Sequence, residues 1–68
     1  MEEVVVPLWK QVRDAAWDVG YRAQQAKAVI VNPYPKGSFM HEHWQDGYDL
    51  GILHALEQER GIVAANEA

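Results

Sequence analysis

The chain has 68 residues, no cysteine and a formal net charge of −4. A domain of this length buries only about 60% of its unfolded surface, and the lack of cysteine excludes disulfides and thiolate zinc sites as reinforcement. We therefore expect one domain over residues 1–68 that gains support from self-association or from a bound partner.

No stretch of the sequence approaches the roughly 18 apolar residues of a membrane span. The first residues, Met1-Glu2-Glu3, are acidic, whereas a secretory signal begins with basic residues. These features predict a cytoplasmic protein with no membrane partner.

The charge is distributed unevenly along the chain. Five basic and four acidic residues nearly balance through Gly37, whereas six acidic residues beyond it are opposed only by Arg60. Binding to a phosphate backbone depends on clustered Lys and Arg. Ribosomal RNA is therefore a possible but disfavoured partner, and a protein surface is favoured.

The first predicted helix covers about residues 7–30. Pro7 suits the first turn of a helix, and the β-branched residues before Asn32-Pro33 predict its end. Gly20 lies in the middle, where glycine costs about 1 kcal/mol relative to alanine, and this indicates close backbone packing. Apolar residues recur at steps of three or four, as on one helix face: Leu8, Val12, Ala15, Val19, Ala23, Ala26 and Ile30.

A second helix is predicted over about residues 39–60. The preceding Asn-Pro-Tyr-Pro-Lys-Gly segment, residues 32–37, is typical of a rigid turn, and Ser38 suits the N-cap. Gly61 is the expected end of this helix, with residues 62–68 as a frayed tail. Gly47 and Gly51 lie four residues apart and permit close approach to another helix.

These elements predict an all-α helical hairpin of two antiparallel helices joined by a Pro/Gly turn. The apolar residues at the beginning of the first helix, Leu8, Trp9 and Val12 with the run Val4–Val6, exceed what one short second helix can cover. We therefore expect a homodimer or larger bundle, or a different protein on this surface.

Three short segments occur in a fixed order: Gly20-Tyr21-x-Ala23, Asn32-Pro33-Tyr34 and Trp44-x-x-Gly47-Tyr48. In this order they resemble the ribosome modulation factor family of small bacterial and phage proteins, over about residues 16–51. The resemblance implies two helices joined by a linker, and a non-catalytic regulator that docks on a macromolecular assembly such as the ribosome. With Gly51, the residues it assigns to forming the fold are Gly20, Tyr21, Ala23, Pro33, Trp44, Gly47 and Tyr48.

The chain departs from the best-known member of that family, which is strongly basic. The acidity of the second helix favours an alternative, a phage- or prophage-type inhibitor that blocks a host protein through this helix and its aromatic residues. Asp46, Asp49, Glu57 and Glu59 form either a solvated face or such a docking patch. The predicted partner-binding residues are Tyr34, Lys36, Phe39, His43, Asp46 and Asp49.

The aromatic residues of the resemblance suit a core where the helices cross. We expect Trp44, Tyr48 and Tyr21 to fill the space beside Gly20 and Gly47, because aromatic side chains bury large areas.

Neither a metal site nor a catalytic site is predicted, and no cofactor is expected. His41 and His43, two residues apart, point in different directions from a helix and do not converge on one ion. His54, eleven residues beyond His43, could share a face with it, but the usual third and fourth ligands are not arranged, so we expect the first-turn histidines to be solvated. A contact of Ser38 with His41 is conceivable, but the position of Ser38 favours capping over nucleophilic attack.

Overall fold

A computed structural model describes the backbone of residues 5–67 and the side chains of residues 5–60. It contains helix α1, Leu8–Ala26, and helix α2, Phe39–Glu67, and no strand within the described residues. The two helices pack against each other over much of their length, which confirms the predicted all-α fold of two paired helices. No helix in the described part is long and apolar enough to cross a membrane.

Helix α1 begins as predicted and ends earlier than predicted. The Pro7 carbonyl accepts the first intrahelical hydrogen bonds, at 3.1 Å. The predicted end at residue 30 is wrong, because Lys27 adopts a left-handed conformation with φ 55° and the Ala28 amide donates to the Ala23 carbonyl at 2.9 Å. Such a left-handed residue closes a helix and turns the chain away from its axis.

Helix α2 begins as predicted and continues further than predicted. The Ser38 hydroxyl accepts a hydrogen bond from the His41 amide at 3.1 Å and donates one to the Pro35 carbonyl at 2.7 Å, as an N-cap should. The predicted end at Gly61 is wrong, since α2 extends to Glu67. One interior glycine costs only about 1 kcal/mol, which is too little to end a helix by itself. The side chains of the expected tail, like Val4 of the apolar run, lie outside the described residues.

The two helices run in the same direction, so the predicted antiparallel pairing is wrong. Partners advance together along both helices: Trp9 contacts His43, Trp17 contacts His54, and Tyr21 contacts Gln58. Residues 27–38 therefore form a crossover linker, which returns from the end of α1 to the beginning of α2.

Hydrogen bonds hold this linker along α2. The Ile30 amide donates to the Tyr48 hydroxyl at 3.0 Å, the Asn32 side chain donates to the His41 carbonyl at 2.9 Å, and His41 Nδ1 lies 2.9 Å from the Tyr34 carbonyl. As the residue number rises along the linker from Ile30 to Tyr34, the residue number of the partner on α2 falls from Tyr48 to His41. The linker is thus a third, antiparallel layer on the helix pair, where the sequence predicts a compact turn.

The core is small and lies between the helices and the linker. Its buried residues are alanines and two stacked aromatic rings, Trp44 and Tyr48, whose centroids are 4.8 Å apart. Tyr34 packs on them from the linker, and the partly buried aliphatic residues around them are Val12, Val19 and Ile52. Because so few side chains are buried, the closeness of the helix backbones has a large share in holding the fold together.

Candidate interaction surfaces

Three glycines let the backbones of the two helices touch. A Cβ atom added to Gly51 would lie 2.0 Å from the Trp17 carbonyl oxygen, and one added to Gly47 would lie 2.0 Å from that of Arg13. On the other helix, a Cβ on Gly20 would lie 2.1 Å from the Tyr48 carbonyl oxygen. We call Gly20, Gly47 and Gly51 the glycine seam. The sequence predicts close packing at these positions, but their neighbours are backbone atoms, where aromatic rings were expected.

The linker covers one side of the seam, and no described residue covers the other. The uncovered side, here called the open face, carries Trp9, Trp17 and Tyr21 of α1 and His43, Leu50 and His54 of α2. The Trp17 indole donates to His54 Nδ1 at 2.8 Å, and the Trp17 ring stacks on Tyr21 at 5.1 Å. Tyr21, expected in the core with Trp44, is therefore half-buried on the opposite side of the seam.

His41 and His43, which the sequence predicts to be solvated, are half-buried and contact protein groups, and the exposed His54 contacts one as well. His41 lies against the Tyr34 carbonyl, the His43 ring packs 5.2 Å from the Trp9 ring, and His54 accepts the Trp17 indole proton. In a neutral imidazole that accepts at Nδ1, the proton is carried by Nε2. No group of three or more potential metal ligands occurs among the described side chains.

The predicted partner-binding residues lie in different environments. Phe39 is 79% exposed and Lys36 is exposed where the linker meets α2, whereas Tyr34 is half-buried against the core. His43 is half-buried on the open face. The remaining two, Asp46 and Asp49, are exposed on α2.

Four carboxylates form a stripe on the side of α2 that faces away from the seam. They are Glu42, Asp46, Asp49 and Glu57, and 3.6 residues per turn places them within about 80° of one another. Among the described side chains none of the four has a Lys or Arg partner, whereas Asp14 and Asp18 pair on α1 and Glu59 pairs with Lys27 at 3.5 Å. We call these four residues the acidic stripe. Glu59, predicted in the same row, lies on another side of the helix.

The three segments of the family resemblance meet in space. The backbone of Gly20 touches that of Tyr48, the Asn32 amide is bonded to α2, and Ala23 shares the buried cluster with Trp44. The Asn32 side chain also accepts the Tyr34 amide at 3.0 Å, which fixes the turn around Pro33. Residues far apart in the sequence thus form one connected set of contacts.

The described residues contain no detectable pocket. Comparison with models of known protein families, with curated proteins and with solved structures finds no match to this chain.

Proposed function

We propose that the protein is a non-catalytic regulator, similar to ribosome modulation factor, that docks on a macromolecular assembly such as the ribosome. The observation that supports this most is the meeting of the three family segments in one contact set. The two helices touch where the backbones of Gly20 and Tyr48 meet, and hydrogen bonds of the Tyr48 hydroxyl and of the Asn32 side chain join the linker to α2. Each segment thus has a physical task in the same fold.

The side chains best suited to chemistry are used for structure, which supports action by binding. A serine nucleophile needs an adjacent base that can take its proton. Here the Ser38 hydroxyl donates to the Pro35 carbonyl, and the His41 ring contacts the Tyr34 carbonyl, so neither ring nor hydroxyl faces the other as a catalytic pair. Both residues stabilise the junction of the linker with α2.

Docking is proposed to use the junction of the linker with α2 and the acidic stripe. Phe39 supplies an exposed aromatic anchor, and Lys36 lies three residues before it. The acidic stripe would be repelled by phosphates but attracted by a basic protein component of an assembly. We therefore propose that the contact is made with protein, with RNA at most at its edge.

Co-sedimentation with bacterial ribosomes tests the proposal. The purified protein is centrifuged through sucrose with ribosomes over a series of salt concentrations, and the pellet and free fractions are compared. Phe39→Ala should reduce binding, whereas Val29→Ala, which also truncates an exposed apolar residue on the opposite end of the linker, should not. Absence of the protein from ribosomal fractions at every salt concentration would remove the ribosome as its target.

A second candidate is a small inhibitor that covers a surface of one host protein. The acidic stripe favours it, because four carboxylates without basic partners among the described side chains can meet a basic surface. A pull-down from bacterial lysate separates the candidates. One soluble protein retained through nuclease treatment supports inhibition, whereas ribosomal components in the retained fraction support the first proposal.

A further inference from the structure

The open face is a side of the helix pair that none of the described residues covers. The linker covers the other side of the seam, where Tyr34 packs on Trp44. On the open face Trp9 is 39% and Leu50 is 43% exposed, beside the half-buried rings of Trp17 and Tyr21. Aromatic residues with one polar end are enriched at protein interfaces, where their rings become buried.

The molecule exposes more surface to solvent than is typical for a monomer of its mass. The chain exposes 5390 Å², whereas a monomeric protein of 7.7 kDa typically exposes about 4,300 Å². The excess of roughly 1,000 Å² is spread over the molecule, including exposed apolar residues of the linker such as Val29 and Val31, whereas a standard interface takes about 800 Å² from each partner. The extents of 42 × 37 × 17 Å show that the molecule is flat. Two flat molecules placed face to face approach a compact shape.

The charges of the open face are complementary to those of a second copy. Helical spacing places Lys10 on this face of α1 and Arg13 beside the seam, one to two turns before Trp17, and both pair on α1 with the exposed Asp14. Asp46 lies on the α2 edge, one turn before Leu50, and belongs to the stripe without basic partners among the described side chains. Because the Arg13 backbone lies beside Gly47, Arg13 and Asp46 stand at the same height in the molecule.

We propose that a second copy of this chain covers the open face, with a two-fold axis parallel to the helices. Rotation about such an axis keeps every residue at its height and exchanges left and right. It therefore places α1 of each copy over α2 of the other, with Arg13 facing Asp46 and the rings of Trp9 and Trp17 near Leu50. The interface is isologous, so both contacts occur twice and the open face of each copy is closed.

Sedimentation velocity over a wide micromolar range tests this dimer with two matched variants. Leu50 and Leu56 are both exposed leucines of α2, at 43% and 37%, but 3.6 residues per turn places Leu56 about 120° around the helix from Leu50, away from the open face. We expect twice the 7.7 kDa mass for the wild type, the monomer mass for Leu50→Glu and the dimer mass for Leu56→Glu. A monomeric wild type at all concentrations, or equal dimerisation of both variants, would overturn the proposal.

A charge-reversal pair supplies a test that does not depend on the folding of Leu50→Glu. Arg13→Glu and Asp46→Arg should each raise the dimer dissociation constant about tenfold, because each puts like charges face to face. The double variant should restore a constant close to that of the wild type, with helicity by circular dichroism unchanged throughout. If the double variant instead lost as much dimerisation free energy as the two single variants together, the proposed pairing would be contradicted.

Discussion

The glycine seam predicts an unusual response to a mild substitution, Gly51→Ala. In an ordinary helix position this change stabilises by about 1 kcal/mol, because alanine has the higher helix propensity. Here the new Cβ would lie 2.0 Å from the Trp17 carbonyl oxygen. A carbon–oxygen contact needs about 3.4 Å, so the helices must separate by roughly 1.4 Å.

The size of the effect follows from what must move. Inserting a methyl group into a packed interior typically costs about 1–3 kcal/mol, and the upper end applies here because the obstructing atom belongs to backbone, which cannot rotate away. Subtracting the gain in helix propensity leaves a loss of about 2 kcal/mol. For a domain of this length, with a free energy of unfolding of about 3–10 kcal/mol, that loss is large.

Urea unfolding followed by circular dichroism measures this loss. With a slope of about 1 kcal/mol per molar urea, the midpoint should fall by about 2 M. Ala15→Gly, at an exposed position of α1, calibrates helix propensity in this chain and should lose about 1 kcal/mol. If Gly51→Ala raised the midpoint by the amount that Ala15→Gly lowers it, the close approach of the two backbones would be refuted.

Three further substitutions test separate parts of the fold. Tyr48→Phe removes the acceptor of the Ile30 amide, so it should lower the free energy of unfolding by about 1 kcal/mol and speed hydrogen exchange at Ile30. Tyr21→Phe should cost less in the same unfolding assay, because the partner of the Tyr21 hydroxyl, Gln58, is exposed. Trp44→Ala removes a ring that is 7% exposed and should cost about 3 kcal/mol or more; an unchanged melting temperature together with lost binding would instead assign Trp44 to a contact surface. Lys27→Gly should raise the melting temperature, with a gain of about 0.5–1 kcal/mol, because glycine adopts the left-handed conformation without strain; a lower melting temperature would mean that the exposed pair of Lys27 with Glu59 outweighs that strain.

Local signals in the sequence predict part of the fold correctly. Ser38 predicts the beginning of α2 because its hydroxyl caps the helix through neighbouring residues alone. The glycines predict close packing because their cost within a helix needs compensation. The end of α1 escapes prediction, since Lys27 adopts the left-handed conformation that usually falls to glycine or asparagine.

The relative direction of the helices also escapes prediction from the sequence. The Asn32-Pro33-Tyr34-Pro35 segment contains strong turn formers, which by themselves favour a short reversal and an antiparallel pair. Its actual path is set by the bond of Asn32 to α2 and by the packing of Tyr34 on the core, both of which exist only once the helices have met. The open face escapes prediction for the same reason, because its residues come together only in the parallel arrangement.

In this fold the two helices lie parallel to each other and touch at the glycine seam. Proton–proton distances measured by NMR on the full chain test this arrangement most directly. The parallel arrangement predicts cross-peaks between the rings of Trp9 and His43, between Trp17 and His54, and between the side chains of Tyr21 and Gln58. Cross-peaks joining Trp9 to Gln58 and Tyr21 to His43, with the predicted set missing, would show an antiparallel pair and contradict the fold on which every surface described above depends.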